Sequence, residues 1–86
     1  EFKQSKRTPA GQIEFNLNVE KNVIKDIKIN GDFFGLGEIS DVEKALVGVG
    51  YNREDLTTDF EAIDIRRYFG NVTVDILVNL LLGVEE

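Results

Sequence analysis

An α+β fold in two layers, a three-stranded antiparallel sheet with helices packed on one face, is predicted for this 86-residue chain by three observations. Residues 12–20 alternate strictly between apolar and polar side chains, the pattern of a half-buried strand. A second β-rich run follows a short polar turn, which makes the pair a hairpin. From Ser40 onward, capping residues and apolar positions at helical spacing recur to the end of the chain. Strands precede helices, so parallel βαβ units are disfavoured. The length allows one domain, residues 1–86, burying roughly 60–65% of the surface its unfolded chain exposes.

The opening segment Lys6-Arg7-Thr8-Pro9-Ala10-Gly11 reads as the end of an extended leader, residues 1–11. Pro9 and Gly11 stiffen and then turn the chain, which places Lys6 and Arg7 just outside the sheet edge. In the first strand Ile13, Phe15, Leu17 and Val19 share one face, while Gln12, Glu14, Asn16, Asn18 and Glu20 take the other. Glu20-Lys21-Asn22 forms the turn, with Asn22 suited to a left-handed conformation, and Val23–Asn30 is the antiparallel partner. There Val23, Ile27 and Ile29 keep a period of two. Lys25 breaks the apolar phase and Ile24 falls on the opposite side, an irregularity that a bulge near the turn reconciles.

Gly31-Asp32-Phe33-Phe34-Gly35 closes the hairpin, with Phe33-Phe34 as a short third strand or a strand end. Neighbouring strand residues point to opposite faces, so both rings meet one core only through a bend or bulge. Either both rings are core on the two sides of a covered sheet, or one meets a second surface. Asp32 either caps a turn through backbone N–H groups or pairs with Lys6 or Arg7 across the sheet.

Gly35-Leu36-Gly37 lets the chain reverse before the helices. Ser40-Asp41-Val42-Glu43 has capping-box spacing, so a helix begins near Asp41, with Val42, Ala45 and Leu46 as its apolar positions and Gly48 and Gly50 as its end. Asn52 caps a second helix, whose stripe is Leu56, Phe60 and Ile63. Asp64 caps a further turn through Phe69, ended by Gly70. Thr73 caps a last helix over Val74–Leu82, with Val72 and Leu77 placed as a hydrophobic staple and Gly83 as its stop. That helix is apolar on nearly every side, so it lies either at the centre of the helical layer or against another domain or subunit.

Composition narrows the functional classes. With no Cys and no His, the chain lacks thiolate nucleophiles, disulfides, cysteine-based metal sites and the usual general base. A net charge of −6 disfavours nucleic acid or an anionic membrane as main partner. No apolar run approaches the ~20 residues needed to span a bilayer. The absence of Met predicts a fragment of a longer chain. Gly35-Leu36-Gly37 and Gly48-Val49-Gly50 lack the Lys-Ser/Thr and glycine spacing of a phosphate loop. Asp26, Asp32, Glu38, Asp41 and Glu43 match no EF-hand spacing, and no metal site is predicted. The candidate interdomain or ligand-facing residues are therefore Lys6, Arg7, Asp32, Phe33 and Phe34. Gly11, Gly31, Gly35, Ser40 and Glu43 serve as structural positions.

The order of Lys6-Arg7, Gly11, two strands, Gly31-Asp32-Phe33-Phe34 and a capped helix resembles the small C-terminal accessory domain of lipoate-protein ligases, over nearly all of the chain. The architecture also resembles the IscU/NifU-type iron–sulfur scaffold, whose cysteines are absent here. The ligase resemblance implies a cytoplasmic protein whose N-terminal catalytic domain, outside this chain, holds lipoate, ATP and magnesium and forms lipoyl-adenylate. That domain then passes the lipoyl group to a lysine of a carrier domain of 2-oxoacid dehydrogenase or glycine-cleavage complexes. It implies an accessory role in activation for this domain, with no catalytic residue and no cofactor of its own. The alternative is an interaction module that recruits the carrier or mediates oligomerisation through Phe34 and the terminal helix. An autonomous enzyme is disfavoured by the missing His and Cys.

Overall fold

The apolar row Ile13, Phe15 and Leu17 on the middle strand is fully buried and sets the side of the sheet on which the helices lie. The computed structural model describes residues 2–33 and 35–84. Its strands are β1 (Phe2–Thr8), β2 (Gly11–Glu20) and β3 (Val23–Phe33), and its helices are α1 (Ile39–Leu46), α2 (Arg53–Glu61), α3 (Ile65–Phe69) and α4 (Val74–Leu82). All pairing is antiparallel in the order β1-β2-β3. This is the predicted two-layer α+β architecture, with a different origin for the third strand.

Residues 2–8 are not a leader outside the sheet. They form β1, paired with β2 from Phe2 opposite Leu17 to Thr8 opposite Gly11. Pro9 and Ala10 make the two-residue turn between them, and the Thr8 hydroxyl accepts the Ala10 N–H at 3.1 Å and donates to the Gly11 carbonyl at 2.8 Å. The strand was illegible in sequence because an edge strand over the rim of a core carries no apolar alternation: Gln4 and Lys6 occupy its core-side positions. Gly31, Asp32 and Phe33 are the end of β3, opposite Ile13, Gln12 and Gly11, and make no strand of their own.

The β2–β3 hairpin follows the sequence reading closely. Lys21 and Asn22 both have positive φ, 54° and 62°, as a two-residue turn matched to strand twist requires. The register shifts between Asn18 and Val19, where Asp26 and Ile24 face consecutive residues and Lys25 is the extra one. That bulge turns Ile24 into the core beside Ile29 and leaves Val23 partly exposed, so Ile24, rather than Val23, continues the buried row.

Of the expected helix caps, Asn52 accepts the Asp55 N–H at 2.8 Å and Thr73 accepts the Ile76 N–H at 3.2 Å. Gly83 ends α4 at φ 71°, with the Val84 N–H reaching back to the Asn79 carbonyl at 2.9 Å. Gly70 ends α3, and Asp64 precedes it without a side-chain cap. The Ser40–Glu43 capping box does not form. Helix α1 begins at Ile39 after Glu38, Ser40 lies within its first turn, and no side chain caps it. Glu43 instead accepts the Ile29 N–H through Oε2 at 2.7 Å. The outer edge of β3 presents backbone donors that need acceptors, and a carboxylate on the overlying helix supplies one. The α1–α2 connection covers more of that edge, with Ile24 N–H to Val49 O at 2.9 Å and Gly48 N–H to Ile24 O at 2.8 Å.

Helix α4 packs over β1 and beside α2. Five consecutive residues, Leu77 to Leu81, are buried against β1, α2 and the core. Its one buried polar side chain in that stretch, Asn79, accepts from Arg53 Nη2 at 2.7 Å, and the Tyr51 hydroxyl donates to the Leu81 carbonyl at 2.6 Å. These bonds satisfy groups that burial would otherwise leave orphaned. Replacing Glu43 by Ala strands the Ile29 N–H, so Glu43→Ala is expected to lower unfolding free energy by about 1–3 kcal/mol in urea titration, and Glu43→Gln by less, because an amide oxygen still accepts.

Candidate functional site

Strand pairing places Arg7, Gln12 and Asp32 in one row across the outer face of the sheet, the face turned away from the helices. The two charged ends of that row are about 10 Å apart at Cα, two inter-strand spacings. Arg7 and Asp32 are both exposed, and no ion pair joins them among the described residues. Asp32 sits within a strand rather than at a turn. Lys3, Glu14 and Lys28 lie on the same polar face, with Lys3 and Glu14 paired at 3.9 Å. Lys6, one residue before Arg7, points to the opposite side. There it helps to line a groove of about 270 Å³ with Gln4, Asn79, Leu80 and Val84. The predicted basic pair is thus split between two surfaces by the strand period of two.

Phe33 turns inward. Its ring lies 5.4 Å from that of Phe69, which in turn lies 6.3 Å from Phe15, so the side chain extends the core. Phe34 lies outside the described residues. Gly11 has φ 121° and Gly31 φ 154°, and a Cβ on either would collide with backbone of the opposing strand, the Asp32 carbonyl and the Gln12 carbonyl respectively. The two glycines therefore let β2 and β3 pinch together around the Gln12–Asp32 pair.

Beyond this pinched end the chain meets α3. The Leu36 and Gly37 N–H groups both donate to the Arg67 carbonyl, at 2.7 and 3.3 Å. Gly35 packs on the Tyr68 carbonyl, and Tyr68 in turn donates to Asp41 Oδ2 at 3.4 Å. A shallow depression of about 310 Å³ opens between α1 and α3, lined by Asp41, Ala45, Asp64, Arg67 and Tyr68. The sequence reading missed this pinned loop. Its signal was the Gly-Leu-Gly spacing, but the contact it makes lies thirty residues further along the chain.

Burial perturbs two acidic groups, of which Tyr51 bonds to Gln4 of the groove beside Lys6. Burial pushes the Tyr51 hydroxyl up, offset in part by a hydrogen bond with Gln4, and burial likewise pushes the Asp59 carboxyl up. Asp59 Oδ2 is buried without a hydrogen-bond partner. Among the described residues no three His, Cys, Asp or Glu side chains converge as metal ligands, and no helix is long and apolar enough to cross a membrane.

The described residues form a small two-layer α+β domain with a one-sided sheet and a last helix buried in its core. The chain belongs to the bacterial lipoate protein ligase C-terminus family, whose pattern matches residues 1–81. It is 48% identical over 83 residues to lipoate–protein ligase 2 of Staphylococcus aureus, which covers 96% of this chain and 24% of that protein. It is 43% identical over 77 residues to the lipoate-protein ligase LplJ of Bacillus subtilis, covering 90% and 23%. Lipoate–protein ligase 1 of S. aureus is 31% identical over 80 residues, covering 93% and 24%. The chain thus spans about a quarter of the length of these relatives.

Because Arg7 and Asp32 make no ion pair, Arg7→Ala and Asp32→Ala are each expected to change unfolding free energy by less than about 0.5 kcal/mol in denaturant titration. Asp59 behaves differently. Its folded-state pKa is raised above the ordinary carboxyl value of 3.8 by burial, so the ionised form costs stability, and that cost appears as pH rises through the window from the ordinary value to the raised one. Asp59→Asn is therefore expected to stabilise the fold near neutral pH, with the gain vanishing below pH 3.8 when melting temperatures are compared across pH.

Proposed function

We propose that this domain is an accessory of a lipoate-protein ligase. It supports ATP-dependent activation of lipoate to lipoyl-adenylate by an N-terminal catalytic part of the same polypeptide, ahead of lipoyl transfer to a carrier-protein lysine. The observation that carries the reading is the family match over residues 1–81 in a chain only a quarter as long as its ligase relatives. The chain's own chemistry agrees with an auxiliary part: it has neither Cys nor His. ATP, magnesium and lipoate belong, on this reading, to the catalytic part.

The physical role is closure. A docked domain excludes water from a reactive mixed anhydride and holds the ATP-binding region in one geometry. Undocking then admits the lysine of a lipoyl carrier domain, as in 2-oxoacid dehydrogenase or glycine-cleavage complexes. Carrier recruitment by this domain would give a different pattern, in which activation is untouched and carrier affinity falls.

The test is deletion of the domain from the full-length ligase. Adenylate formation, followed by pyrophosphate release with lipoate and ATP, is expected to fall at least about tenfold, while transfer from preformed lipoyl-adenylate persists. Equal pyrophosphate release with and without the domain would overturn the accessory role.

A further inference from the structure

The loop Gly35-Leu36-Gly37 holds a large apolar side chain in solvent on a hydrogen-bonded backbone. Leu36 is 91% exposed, whereas the other exposed large hydrophobics among the described residues, Phe2, Val23, Val47 and Val84, are 36–49% exposed. A single exposed leucine carries no meaning by itself. The backbone around this one is what distinguishes it.

The Leu36 and Gly37 N–H groups share the Arg67 carbonyl as acceptor, at 2.7 and 3.3 Å. A Cβ on Gly35 would strike the Tyr68 carbonyl, and one on Gly37 would come within 2.5 Å of the Tyr68 ring. The chain is thus pressed onto α3 on both sides of the leucine, and only glycine fits at either flank. The Leu36 side chain gains no burial from this clamp. A clamp that fixes the backbone of an exposed apolar residue lowers the entropy lost when that residue enters a pocket, which is the physical content of preorganised binding.

On the reading of this domain as an accessory of a larger polypeptide, the geometry points to Leu36 as the anchor that docks the domain on the part of the same ligase chain lying N-terminal to it. The receiving site is an apolar pocket. The occupant is identified by chain length: the domain accounts for about a quarter of its relatives, so the surface most often within reach is the remaining three quarters, held at high effective concentration by the covalent connection.

The experiment compares full-length ligase with its Leu36→Asp and Leu36→Met variants by small-angle scattering and by pyrophosphate release. An exposed position tolerates Asp without unfolding, and far-UV circular dichroism checks this. Leu36→Asp is expected to enlarge the radius of gyration by releasing the domain and to slow adenylate formation by roughly 10- to 30-fold, the size of effect an interface anchor carries. Leu36→Met is expected to behave as wild type, since its side chain still fills an apolar pocket. If Leu36→Asp leaves scattering and rate unchanged while domain deletion impairs activation, the anchor is overturned and the accessory role stands. If deletion leaves activation unchanged but Leu36→Asp still opens the protein, the anchor stands and the accessory role falls. A halved particle mass for Leu36→Asp would mean that the leucine docks a second copy, which also overturns the assignment.

Discussion

The burial of one face of β2 governs the rest of this domain. Three antiparallel strands are stable in water only if one face is covered, and here Ile13, Phe15 and Leu17 of the central strand supply the apolar surface to be covered. Truncating a side chain as large as Phe15 at a fully buried position costs about 3–5 kcal/mol, a large part of the stability of a domain this small. Every helix answers to that row. α4, packed over β1 and beside α2, adds Leu77, Val78, Leu80 and Leu81 to the core that contains that row, and α2 and α3 bring Leu56, Phe60 and Phe69 to it. Residues Leu77 to Leu81 of that helix are thereby buried in the domain's own core.

The two edges of the sheet are managed in different ways. β3 is capped by protein: the Glu43 carboxylate takes the Ile29 N–H, and the strand-like segment Val49–Tyr51 bonds with Ile24 and Asn22. β1 is the uncovered edge and carries Lys3, Lys6 and Arg7, charged side chains that discourage edge-to-edge pairing with another sheet. The period of two along β1 sends Lys6 and Arg7, expected to face another domain or a ligand, to opposite sides of the sheet.

The closest backbone approaches lie where the sheet ends. Gly11 and Gly31 allow β2 and β3 to close on each other, Phe33 turns inward onto Phe69, and the chain then clamps against α3 before α1 begins. Together these contacts carry the Leu36 side chain out of the fold instead of into it.

Much of this was written locally. The alternation from Gln12 to Glu20, the Lys21-Asn22 turn, the bulge at Lys25, the caps at Asn52 and Thr73 and the stop at Gly83 each depend on residues within a few positions of one another, so the sequence alone determined the hairpin, the helices and the α+β class. It determined the family as well, through Lys6-Arg7, Gly11 and Gly31-Asp32-Phe33-Phe34. Tertiary structure decided the rest. Residues 2–8 became a strand only because β2 offered a free edge, Glu43 left its expected box because the Ile29 N–H lay above it, and Phe33 chose the core because Phe69 waited there, thirty-six residues away. None of these competing partners is adjacent in the chain, and the free energy that selects among them comes from burial and backbone satisfaction, which exist only once the layers have packed.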